Sequence, residues 1–192
     1  MRLRTLCSIG GFLAAGATFA CAPGTVVVSP LDYYPGYTPT VLNYAATRGG
    51  MLVEVVGNPF EQDSQEQLER TITRAMATSH FGPELPFITT PPDDFASPYR
   101  VVVVFDPTQN VNTYKVCRYE SEPAAARKND IVRVHAVLCA NEKPLTAVSG
   151  RVGGIESPGD PRFRRLISQM SLILFPPYDP NGRDGRDIEF RP

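Results

Sequence analysis

Four cysteines, two histidines and a scatter of arginines are the residues through which this chain could do chemistry. Cys117 and Cys139 flank a polar run from Ser121 to Asp130. If Val111 to Tyr119 and Ile131 to Cys139 pair as a hairpin with its turn centred on Lys128, the two cysteines stand opposite each other on the outward face. Their Cβ atoms then approach to the roughly 3.5 to 4.5 Å that a disulfide needs, and a Cys117–Cys139 bond is expected. His135 and Ser149 fall on neighbouring strands, and with an acid they would make a hydrolytic triad, but nothing local orients the serine or supplies an oxyanion hole. There is no G-x-S-x-G, no Walker loop, no dinucleotide fingerprint and no H-E-x-x-H. Arg133, His135 and Arg151 share an open strand face and are the candidates for holding a ligand. Asp93-Asp94 lacks the further oxygen ligands a hard cation requires. His80 reads as a helix C-terminal residue, where a cation is favoured. No catalytic, cofactor-binding or metal residue is assigned, and no cofactor is expected.

Cys21 carries different chemistry. Arg2 and Arg4 precede a short apolar run from Leu6 to Ala20, the pattern of an export signal, and that run is too short to span a bilayer. Ala15-Gly16-Ala17 is an ordinary signal-peptidase site. Thr18-Phe19-Ala20-Cys21 resembles the lipobox of bacterial lipoproteins, which usually carries Leu where Thr18 stands and a small residue where Phe19 stands; the resemblance implies acylation of Cys21. Cysteine parity points the same way: cleavage after Ala17 would leave Cys21, Cys117 and Cys139, an odd number, in an oxidising compartment. Loss of residues 1–20 removes two arginines and no acid, which takes the formal charge from −1 to −3. Such a chain has no general attraction for nucleic acid.

The elements that must position these residues are centred on Tyr99 to Phe105. Its four consecutive valines suit a strand buried on both faces. Residues 21–50, punctuated by prolines and tyrosines, read as an extended tether in which Val26 to Val28 could make a short edge strand and the tyrosines pack on the domain. Met51 to Val56 reads as a strand, and Glu61 to Ser79 as an amphipathic helix with Leu68, Ile72, Ala75 and Met76 inward. Residues 83–98, with five prolines, form a loop. Val111 to Tyr119 reads as a strand, with a short helix as the alternative. Ile131 to Cys139 and Leu145 to Val152 make an antiparallel hairpin, with Val132, Val134, Ala136 and Leu138 facing the core. Asp160 and Pro161 start a last helix with Arg162, Arg164 and Arg165 outward.

This order predicts one α+β domain over residues 51–175: a two-layer sandwich with a mostly antiparallel sheet of about four strands and two amphipathic helices, followed by a tail over 176–192. Behind a lipid anchor, that layout is similar to small envelope lipoproteins of Gram-negative bacteria, the lipopolysaccharide-assembly lipoprotein among them. The resemblance implies a non-catalytic protein-interaction or scaffolding module, attached to the membrane through Cys21, facing the periplasm and engaging an envelope protein. It transfers no site residue. A soluble periplasmic ligand-binding module and a hydrolase are the alternatives.

Overall fold

The computed structural model describes residues 26–107, 111–120 and 130–180. The expected leader, Cys21, residues 108–110 and 121–129 and the end of the expected tail lie outside the described residues.

β-Branched runs and glycine or proline breaks set the strands, and helical periodicity sets the elements between them. In chain order these are β1 (Val27–Tyr33), α1 (Thr40–Thr47), β2 (Met51–Val56), α2 (Gln65–Ala77), β3 (Phe87–Ile88), β4 (Tyr99–Phe105), α3 (Thr113–Cys117), β5 (Ile131–Ala140), β6 (Lys143–Gly153) and α4 (Pro161–Leu174). Six strands form one sheet in the order β1-β6-β5-β4-β2-β3.

The expected sheet of about four mostly antiparallel strands is therefore corrected to a mixed sheet of six, with four helices instead of two. Three causes are visible. A helix separates β2 from β3, and a strand that returns through a helix lies parallel to its predecessor; β2 is accordingly parallel to both β3 and β4. Residues read as a tether instead supply α1 and β1, which pairs antiparallel with β6 from Val27↔Arg151 to Tyr33↔Thr146. Val111 to Tyr119 holds α3 rather than a strand: the Asn112 side chain accepts from the N–H groups of Tyr114 and Lys115 and caps the helix start.

β4 lies between β5 and β2 and is buried on both faces. Val101, Val103 and Phe105 join Val132, Val134, Ala136, Leu138 and Val148 under α2 and α4, in the larger core. On this side Phe163 of α4 meets Phe60 edge-on at 5.3 Å and lies 6.1 Å from Phe105. Val102 and Val104 face the other way and pack with Val116, Cys117, Val137, Cys139 and Ala147 in a second, smaller cluster beneath α3. The sheet face expected to be open is thus covered where α3 crosses it. Gly50 joins α1 to β2 at φ 131°, and a Cβ there would stand 2.5 Å from the Pro86 carbonyl oxygen, so only glycine fits the approach.

Candidate functional site

Cys117 and Cys139 are disulfide-bonded, with Cα atoms 5.7 Å apart. The register that led to this bond is corrected, because Cys117 sits on α3 and not on a strand paired with β5; the strand partners of Cys139 are Arg100 and Pro144. Both cysteines are fully buried. The bond staples α3 onto the sheet.

A second clamp on α3 comes from a residue that the pattern Tyr-Arg-Val-Val gave no reason to single out. Arg100 enters the sheet buried, donates to the Asn141 carbonyl at 2.7 Å and to the Cys117 carbonyl, and pairs with Glu54 at 3.3 Å. The Tyr119 ring lies over its guanidinium at 4.2 Å. A buried guanidinium must have its donors met, and here the end of α3, the β5–β6 turn and Glu54 of β2 meet them.

His135 and Ser149, cross-strand neighbours, are brought together: His135 Nδ1 and Ser149 Oγ are 3.0 Å apart. The rest of a triad is missing among the described residues, since His135 Nε2 is buried with no hydrogen-bond partner. Burial also pushes the His135 pKa down to about 4, against an opposing pull from the Asp32 charge. An imidazole so reluctant to take a proton is a poor general base at neutral pH. Of the other two residues expected on this face, Arg151 is exposed and Arg133 half-buried, paired across β5 and β6. His80 lies beyond the end of α2, its Nδ1 accepting from the Gly82 N–H and its ring 5.5 Å from Phe87. Asp93 and Asp94 are exposed, and no metal-holding cluster occurs among the described residues.

Two surface hollows stand out. One, of about 210 Å³, is lined by Tyr37, Leu42, Phe81 and Phe175, and Tyr37 donates to the Pro176 carbonyl at 2.7 Å. The other is an open groove of about 570 Å³ between α2 and α4, whose rim carries Arg74, Arg164, Arg165, Thr71, Thr78 and Ser168 and no acid. Among the described residues the ion pairs are Arg70–Glu66, Arg100–Glu54 and Arg162–Asp160; Arg164 also lies close enough to Asp160 to help lower its pKa, while Arg74, Arg133, Arg151 and Arg165 form no ion pair among those residues.

Comparison with known proteins adds little beyond this geometry. No known family pattern matches the chain, and no curated protein sequence matches it. Among solved structures it is similar to a dodecamer of a PelC point variant from Paraburkholderia phytofirmans at 15% identity and TM-score 0.43, over 78% of this chain and 98% of that one. A second PelC dodecamer from the same organism matches at 14% identity and TM-score 0.38, over 81% and 97%. Likenesses this distant carry no argument here.

Proposed function

We propose that this protein is an exported lipoprotein of the cell envelope, held to the membrane by an acylated Cys21, whose folded unit serves as a non-catalytic interaction or scaffolding module. The observation that carries the reading is the Cys117–Cys139 bond. It uses both cysteines of the folded unit and leaves Cys21 as the single cysteine downstream of the export signal without a partner in the chain, which is the arithmetic an acylated residue requires. A buried disulfide also suits an oxidising compartment. The unprotonated, half-partnered His135 beside Ser149 supports a binding role over a hydrolytic one.

Intact-mass measurement of protein from the membrane fraction tests the attachment. Acyl mass on an N-terminal Cys21 is the expected result; a mature N-terminus at Thr18 without acyl mass overturns it. Partners should be recovered from intact envelopes by the tethered protein and lost with Cys21→Ala. Esterase and peptidase panels should not distinguish the wild type from Ser149→Ala.

A further inference from the structure

The unpaired arginines are not spread evenly. β1 begins at Val27 opposite Arg151, and Arg151 in turn faces Arg133. β6 ends at Gly153, where the Arg162 guanidinium donates to the carbonyls of Gly153 and Gly154 at 3.4 and 2.6 Å. The N-terminus of α4, with Arg164 and Arg165, therefore lies at the end of the sheet where the chain enters from Cys21, and the groove carries the positive surface on to Arg74. Cys21 is six residues before Val27, so a group attached there stays within about 20 Å of that end.

The N-terminus of a helix bears partial positive charge and favours acids, yet the first turn of α4 has none. Asp160, the capping carboxylate, is occupied by Arg162, to whose backbone N–H it is bonded at 2.8 Å and whose guanidinium lies 2.7 Å away. Arg164, which also helps to hold the Asp160 carboxyl low, and Arg165 stand exposed beyond that first turn, beside Arg74, in a chain whose net charge is negative. Three guanidiniums bordering one groove with no acid in its lining suit an external anion.

We propose that this arginine-bearing end docks on an anionic phospholipid surface, with Arg74, Arg164 and Arg165 receiving headgroup phosphates in the groove. The orientation rests on the attachment proposed above. A basic patch adds electrostatic attraction for anionic lipid to the hold of an acyl anchor.

The test uses the mature chain carrying Cys21→Ala, so that vesicle binding is scored apart from acylation. Cosedimentation is measured with phosphatidylcholine vesicles with and without phosphatidylglycerol. Binding only to the anionic vesicles, abolished near 1 M salt where the Debye length is about 3 Å, is expected. Arg164→Glu/Arg165→Glu should weaken it by about tenfold or more. Arg48→Glu/Lys143→Glu, the same charge change at the opposite end of the sheet, should leave it within about twofold, with circular dichroism confirming that both variants fold. Equal loss in the two double variants, or equal binding to neutral vesicles, overturns the proposal. So does binding of soluble polyglutamate through Arg164 and Arg165 without vesicle binding, which would assign the groove to an acidic protein partner.

Discussion

Breaking the Cys117–Cys139 bond should destabilise the fold mainly by releasing the unfolded chain. The two residues are 22 apart in sequence. In the chain-entropy relation a loop of that length gives about 11 cal/mol/K, or about 3.4 kcal/mol at 25 °C. The native state should change little on reduction, because Arg100 still ties the Cys117 carbonyl to the sheet and Val102, Val116, Val137 and Ala147 still pack around the two sulfurs. Urea unfolding of the oxidised and reduced protein gives both free energies. With a slope of about 2 kcal/mol/M, the midpoint should fall by about 1.7 M on reduction. Cys117→Ala/Cys139→Ala should lose somewhat more, since two fully buried sulfurs are removed as well. A loss on reduction below about 1 kcal/mol would refute the reasoning, because it would mean that the loop is already closed in the unfolded chain. Two reactive thiols in the unreduced, unfolded protein would refute the bond itself.

Other perturbations probe other contacts. The His135 pKa is about 4 in the fold against about 6.5 free, so between those values the unfolded chain binds the proton first. Stability should be full above pH 6.5 and fall as pH drops towards 4, by up to about 3 kcal/mol; urea midpoints against pH should show this slope, and His135→Gln should flatten it. Gly150→Ala would set a Cβ 2.6 Å from Leu166 Cδ1 and 2.8 Å from Met170 Sδ, overpacking the α4 interface at a cost of about 1 to 3 kcal/mol in the same assay. Asp160→Ala removes the α4 cap and should cost about 1 kcal/mol in thermal unfolding. Val103→Asp, which forces a charge into a fully buried sheet position, should abolish folding as judged by near-ultraviolet circular dichroism.

Local chemistry was legible where one element's own residues decide its state. The valine run of β4, the Asp160-Pro161 start and apolar stripe of α4, the inward face of α2 and the alternation of β5 could all be read from their own spacing, because burial follows periodicity once the element type is settled. Cys117 and Cys139 were paired correctly by a mistaken route: the hairpin register that named them does not exist, because Cys117 sits on α3. The Asn112 cap that made α3 a helix is a short-range signal, but it competes with an apolar and polar alternation that suits a strand equally well. Tertiary structure alone decided the rest. β1 looked like a tether because an edge strand interrupted by Pro30 has little pattern of its own and takes its state from β6. The parallel placing of β2 between β3 and β4 depends on which edge the chain returns to. The Arg100 clamp and the gathering of Arg74, Arg164 and Arg165 into one groove join residues dozens of positions apart, and no periodicity within a single segment encodes such a meeting. It arises only when packing brings separate faces together.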